Sequence, residues 1–192
     1  MPPIRAFVAI RLEPWVDQSI ACFIDRIRPL ARGVSWTRPG NLHLTLKFLG
    51  VRVDRALIDK LTAAIGPLAA ETAPFRVTTR GIGAFPNLVR PRTIFVGLHS
   101  DRLPGLTARV EDIAVGLGFA PVDRPFTPHL TIGRIRSARG FHPVGAALVS
   151  AGDRDFGVST VRSLAIYQSH LSGAGSRYEP IAQFPFEIPI AS

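Results

Sequence analysis

The sequence predicts an α+β fold of two similar, facing lobes, and three observations predict it. The element order read along the chain is β, α, β, α, β, β, α, β, α, β, β. It mixes hairpins with helical crossovers, which favours largely antiparallel sheets carrying outer helices. A four-residue pattern recurs, as His43-Leu44-Thr45-Leu46 after the first helix and His129-Leu130-Thr131-Ile132 after the third. The echo implies two lobes related by a pseudo-twofold axis, with a central cleft between them. Finally, 192 residues, 46% of them hydrophobic and 19% charged, can bury one sizeable core. No low-complexity stretch or clean linker divides them, so residues 1–192 read as a single bilobal domain.

Each element has its own local signal. Ala6 to Ile10 is short, apolar and partly β-branched, hence a strand. Pro14 can open a helix, and Val16, Ile20, Phe23, Ile27 and Leu30 follow at helical spacing. Gly33 to Asn41 is a turn-rich connection. His43 to Leu49 reads as a strand ended by Gly50. Asp54 can cap a second helix that carries Leu57, Leu61, Ile65 and Leu68 on one face. Phe75–Phe85 and Thr93–Leu98 read as strands, and a third helix starts near Pro104 and stops at Gly118. His129–Ile135 is the next strand, and a short helix is expected within Val144–Ser150. Val161–Ser169 and Ile181–Ile188 close the chain as strands around the glycine-rich turn Ser172–Ser176.

Charge narrows the class of partner. The net charge is +9, and 21 of the 23 basic residues are arginine. Arginine forks match phosphate oxygens bidentately and a basic surface attracts polyanions. No basic run occurs, so a histone-like tail is excluded. One cysteine, Cys22, forms no intrachain disulfide and no cysteine-based zinc site. The apolar run near the start is too short for a signal-peptide core, and no stretch approaches the roughly 20 apolar residues of a membrane span. A cytoplasmic protein off the membrane is expected, and a monomer, because no heptad pattern or extended apolar face demands a partner.

On a strand, alternate side chains share a face. His43 and Thr45 therefore point one way and Leu44 and Leu46 the other, and the same holds for His129 and Thr131. Two imidazoles and two hydroxyls facing one cleft suit phosphodiester cleavage without a metal. One neutral histidine takes a proton from water and one protonated histidine gives a proton to the leaving oxygen. The hydroxyls can hold non-bridging oxygens as their charge grows. His-x-His and His-Glu-x-x-His spacings are absent and no carboxylate lies inside either motif, so no metal and no cofactor are expected.

Asn41-Leu42-His43-Leu44-Thr45-Leu46-Lys47-Phe48-Leu49-Gly50, with Trp36 upstream, resembles the first signature of the two-histidine (2H) phosphoesterases. Phe126-Thr127-Pro128-His129-Leu130-Thr131-Ile132-Gly133-Arg134 resembles the second. Within that superfamily the chain resembles the RNA 2′,3′-cyclic phosphodiesterases, also called 2′-5′ RNA ligases. The likeness extends to Arg5–Ile10, Gly83–Pro86 and the closing Ser169-His170-Leu171 with Gly175 and Tyr178. It implies hydrolysis of an RNA terminal 2′,3′-cyclic phosphate to a 2′-phosphomonoester. It also implies that His43 is the proton donor, that His129 is the acceptor which activates water, and that Thr45 and Thr131 hold the phosphate. Small cyclic nucleotides are a further substrate class of the superfamily. The rival readings are ATP-independent 2′-5′ RNA ligation, which is the same step reversed, and a non-catalytic RNA-binding module.

Other residues are candidates at the edge of this site. Strict alternation puts Arg134 on the face opposite His129, a bend at Gly133 would bring it round, and the resemblance implies phosphate contact. Lys47 shares parity with His43 and Thr45 and is a substrate-binding candidate. Phe48 has the opposite parity and reads as core. Tyr178 is a candidate base-stacking ring. Arg90, Arg92, Arg136 and Arg139 are candidates to track an RNA backbone. His99, His142 and His170 lack the threonine partner and read as structural or exposed. Cys22 reads as inert core on the apolar side of helix one. Phe95 stands where the family often has a tryptophan, a change expected to affect packing more than chemistry.

Overall fold

The computed structural model describes residues 2–31, 33–137, 141–173 and 175–187, the side chains of 141–143 excepted. The chain forms β1 (Ile4–Ile10), α1 (Pro14–Ile27), a 3-10 turn (Arg28–Leu30), β2 (Val34–Trp36), β3 (Leu44–Val53), α2 (Arg55–Ala70), β4 (Phe75–Phe85) and β5 (Thr93–His99). It continues with α3 (Arg102–Gly116), β6 (His129–Ile135), α4 (Phe141–Ser150), β7 (Asp155–Val161), β8 (Ser163–Ser172) and β9 (Gly175–Pro185). Every strand pair is antiparallel. The first sheet has the order β3-β1-β8-β9 and the second β2-β6-β5-β4-β7. This is the expected α+β arrangement of two sheets with four helices.

Helices begin where the local chemistry allows. Pro14 opens α1, and the Asp54 carboxylate accepts from the Ala56 amide at 3.0 Å to cap α2. Ile58, Leu61, Ile65 and Leu68 are buried along α2, which packs on β8 and β9. The other two long helices cross over. α1 follows β1 of the first sheet but packs on β7 of the second, and α3 follows β5 of the second sheet but packs on β3 of the first. The exchange threads one continuous hydrophobic cluster through both sheets.

The structure departs from the sequence reading in definite places. β7 is an added strand. Its period is masked because Ser159 takes a fully buried position and Gly157 bends the strand at φ 106°. β2 is a second addition, only three residues long. β3 runs through Gly50 to Val53 rather than stopping there. β9 starts at Gly175, and the Ile188 end of the expected last strand lies outside the described residues, as do Ala174 and Arg139. Cys22 is exposed, with Gln18 Nε2 at 3.7 Å from its sulfur, so it is not a core residue.

The two histidine strands share a deviation from regular geometry. In β3, Thr45 lies opposite Ala9 and Lys47 opposite Val8, leaving Leu46 as an extra residue. In β6, Thr131 lies opposite Phe95 and Gly133 opposite Ile94, leaving Ile132 extra. A bulge therefore sits three residues after each histidine. A bulge shifts alternation by one residue, so everything beyond it changes face. Leu44–Phe48 and Leu130–Arg134 show the same succession of buried, half-buried, buried, buried and exposed residues.

Candidate active site

His43, Thr45, Tyr178, His129, Thr131 and Arg134 line one cavity of about 350 Å³. The first three belong to the first sheet or its entry and the others to β6 of the second, so the cavity lies between the lobes. Ser35 to Arg38, Asn41, Arg136, Gly175 and Ser176 complete its wall. Thr37 follows β2 and donates its hydroxyl to the Thr131 carbonyl at 2.8 Å, while the Asn41 amide donates to the Ser176 carbonyl at 2.8 Å. These bonds tie the connection between β2 and β3 to β6, which carries His129, and to β9, which carries Tyr178.

The two imidazoles are held alike. His43 Nδ1 lies 2.8 Å from the Asn41 carbonyl and His129 Nδ1 lies 2.7 Å from the Thr127 carbonyl, each two residues back along the chain. A carbonyl only accepts, so each Nδ1 carries the hydrogen and each Nε2 is left for the cavity. Aromatic rings fix the ring planes. Phe7 stacks on His43 at 4.8 Å and Tyr178 meets it edge-on at 4.8 Å. Phe85 and Phe95 meet His129 edge-on at 4.9 and 5.6 Å. Phe95 is therefore part of the site, beyond the packing role expected of it. Gly83 makes this possible, since a Cβ there would lie 2.5 Å from the Phe95 ring.

Burial pushes the His43 pKa below the ordinary value of 6.5; the Arg11, His129 and Arg134 charges add to this and the Asn41 carbonyl opposes it. His129 is lowered too, by burial and by Arg134, against the Thr127 carbonyl. Both imidazoles are thus neutral at pH 7 in the empty site. An anion placed between them would favour the charged form and oppose this shift.

The bulges decide the fate of the flanking residues. Arg134 is carried back to the face of His129 and Thr131 and lines the cavity, where unbroken alternation would have turned it away. The same shift takes Lys47 out of the cleft, correcting its expected role in substrate binding. Lys47 is 1% exposed and its ammonium meets Glu111 at 2.7 and 2.8 Å and the Ala120 carbonyl at 2.6 Å. Phe48 is turned outward, 43% exposed, with the Arg5 guanidinium 4.5 Å from its ring centre; it is not core.

Other expectations fall on either side of the cavity. Arg136 lines it, whereas Arg90 and Arg92 lie outside it. His99 Nε2 lies 3.1 Å from the Arg80 carbonyl and His170 3.2 Å from Glu179, both outside the cavity; the His142 side chain lies outside the described residues. Sequence reasoning misses Arg11, Arg38, Thr37 and Tyr167. Arg11 and Phe7 share β1 parity, a signal that was available; Arg38 and Thr37 sit on a loop with no periodic signal. Among the described residues no cluster of histidine, cysteine, aspartate and glutamate could hold a metal, and no helix is long and apolar enough to cross a membrane.

Residues 16–172 match the family model of the 2′-5′ RNA ligase superfamily. Proteins named RNA 2′,3′-cyclic phosphodiesterase are similar along the chain. That of Methanocaldococcus jannaschii is 29% identical over 94% of this chain and all of the relative. That of Aeropyrum pernix is 33% identical over 79% of this chain and 84% of the relative. Among solved structures, TT0787 of Thermus thermophilus superposes with a TM-score of 0.82 at 29% identity, covering 97% of this chain and all of that one. E. coli LigT complexed with 3′-AMP superposes at 0.79 and 24% identity, covering 96% and 98%, which is a likeness of fold.

Proposed function

The chain belongs to the 2′-5′ RNA ligase superfamily, and from that premise we propose that it hydrolyses an RNA terminal 2′,3′-cyclic phosphate to a 2′-phosphomonoester without a metal. The observation that carries this reading is the pair of imidazoles, each with Nδ1 bound to a carbonyl two residues back, lining one cavity with two threonines.

The cyclic phosphate lies between the two Nε2 atoms. Thr45, Thr131 and Arg134 donate to its non-bridging oxygens, and those bonds strengthen as charge accumulates on them. His129 Nε2 takes a proton from water as the water oxygen bonds to phosphorus. His43, protonated with the substrate bound, gives its Nε2 proton to the departing 3′ oxygen as the phosphorus–O3′ bond breaks. The 2′ oxygen keeps the phosphate. His129 then loses its proton to solvent and His43 regains one. Binding of the anion favours the imidazolium, so His43 takes up from solvent the proton that the empty, buried site excludes.

Of the two lysines in the chain neither lines the cavity, and Lys47 is committed to Glu111. A ligation step through a lysine–nucleotide adduct thus has no nucleophile at the site. Ligation by reversal of the cyclic phosphate step would use the same two histidines. The test is a cyclic-phosphate-ended RNA incubated with the protein in EDTA, with the position of the product phosphate assigned. Undiminished turnover to a 2′-phosphate is expected; a 3′-phosphate, or strict metal dependence, contradicts the reading.

A further inference from the structure

Tyr178 has a second side. Beyond it, on the same face of the first sheet, lies another cavity of about 240 Å³. Ala9, Arg11, Ala165, Tyr167, Tyr178 and Gln183 are among the residues that line it, the two alanines buried at its base. A narrow space between the two cavities is bounded by Arg11, His43, Tyr167 and Tyr178, so each cavity borders on it.

The register explains why the hollow exists and where it leads. Thr45 lies opposite Ala9, Ala9 opposite Ala165, and Ala165 opposite Gln183, one residue from each of the four strands. That row crosses the whole sheet, and three strand spacings carry it about 14 Å from Thr45. Its two middle members are alanines, while the next row holds Phe7 and Tyr167, also directly opposed. Small residues flanked by rings leave a trough in the row that begins at Thr45, which itself lines the first cavity.

The lining has a definite chemistry. Arg11 is 45% exposed at its side chain and meets Asp17 through one contact of 3.5 Å, too long to occupy the guanidinium. Two phenol rings, a guanidinium and a carboxamide along one trough are the means by which single-stranded nucleic acid is held: stacking faces plus a cation for the backbone.

We propose that this second cavity is the subsite for the nucleotide that precedes the cyclic-phosphate end of an RNA chain. The inference rests on the hydrolase reading and sharpens its substrate class to an oligonucleotide rather than a cyclic mononucleotide. Arg11 pairs with the phosphodiester that joins the last two nucleotides, and the preceding nucleotide lies along Tyr167 and Tyr178 toward Gln183.

Gln183 is exposed at the outer strand and distant from the histidines, so its charge can be changed without touching the reacting atoms. The experiment compares kcat/KM for a cyclic-phosphate-ended trinucleotide with that for adenosine 2′,3′-cyclic phosphate, in the native chain, Gln183→Glu and Gln183→Lys. The native chain is expected to favour the trinucleotide by about tenfold or more. Gln183→Glu should lower that preference by about threefold to fivefold and Gln183→Lys should raise it, with the mononucleotide rate unchanged. Equal rates on both substrates, or a preference indifferent to the sign at position 183, overturns the proposal. Calorimetric titration with a 2′-phosphate-ended trinucleotide and with 2′-AMP makes the same comparison without turnover. If neither cyclic substrate is cleaved, the hydrolase reading fails by itself. The titration then decides the subsite: tighter trinucleotide binding that responds to the sign at 183 supports it, and equal binding refutes it.

Discussion

The two histidine strands are alike in backbone and unlike in chemistry. β6 opens on its histidine and β3 begins one residue after its own; each has a threonine two residues past the histidine and a bulge after that, with the same succession of burial. Four residues after the histidine, however, one strand has Lys47 and the other Gly133, and five after it one has Phe48 and the other Arg134. Neighbours explain the first difference. β2 pairs along the outer edge of β6, and a Cβ on Gly133 would lie 2.9 Å from Val34 and 3.0 Å from Trp36. Among the described residues no strand covers that edge of β3, and Lys47 fills the equivalent space by reaching Glu111 on α3. The second difference gives the cavity its asymmetry: Arg134 brings a charge to its wall, while Phe48 presents a ring to solvent. A repeated backbone thus builds a like-held pair of imidazoles, and unequal flanking residues give the two different surroundings.

Removing either imidazole should have the largest effect on this pairing. His43→Ala and His129→Ala should each lower kcat by about 10²–10⁴, with an unchanged thermal melt. Full activity in either variant, measured on a cyclic-phosphate-ended oligonucleotide, would remove the two-histidine mechanism.

The positions four residues on should separate stability from chemistry. Lys47→Met leaves Glu111 in its pocket without a cation, and denaturant unfolding should show a loss of about 3–5 kcal/mol. The same network joins the strands of both motifs, because Glu111 Oε1 also accepts from the Val122 amide in the loop leading to His129. A Lys47→Met protein of native stability would show that the pair is not held as described.

One residue further on, the contrast should be kinetic. Arg134→Gln should lower kcat/KM by about 10- to 100-fold, the scale of a lost charge-assisted hydrogen bond. Phe48→Ala, at the matching place on β3, should change kcat by less than about threefold. Equal losses in kcat would erase the distinction between the two strands.

The subtlest difference lies in pH. Both histidines titrate below 6.5 in the empty site, the base needing to be neutral and the acid protonated. kcat/KM, which follows the free enzyme, should therefore peak on the acid side of 6.5 and fall above it. An anionic phosphate should raise both pKa values, so under the proposed mechanism the kcat profile should lie to the alkaline side of the kcat/KM profile. Coincident profiles would mean that the substrate brings no such shift. Because the folded-state values are lowered, neutral histidine stabilises the fold above 6.5, and this contribution is lost as pH falls through that value toward the folded-state pKa.

Much of this was legible in the sequence where alternation is unbroken. His43, Thr45, His129 and Thr131 share the cavity as their parity implies, and the echo of two motifs foretold two facing sheets. Legibility ends at the bulges. A bulge is a matter of pairing register with the neighbouring strand, which no residue of β3 announces, so Lys47 and Phe48 exchanged expected faces. Gly133 offered a hint on β6; β3 has no glycine at that point. Ser159 on a buried face hid β7 for a related reason, as a polar residue broke the apolar period. Arg11 was readable by parity with Phe7, but its place beside Tyr167 required β8 to be set against β1.

The division of labour between the two histidines can be tested most directly by relieving one of them. An RNA whose terminal cyclic phosphate carries sulfur in place of the 3′ oxygen has a leaving group that needs no proton. With His43 as the acid and His129 as the base, this substrate should restore turnover to His43→Ala by about 10²-fold or more relative to the oxygen substrate, and leave His129→Ala inactive. Rescue of His129→Ala alone would reverse the assignment, and rescue of neither or of both alike would contradict a pair divided into acid and base.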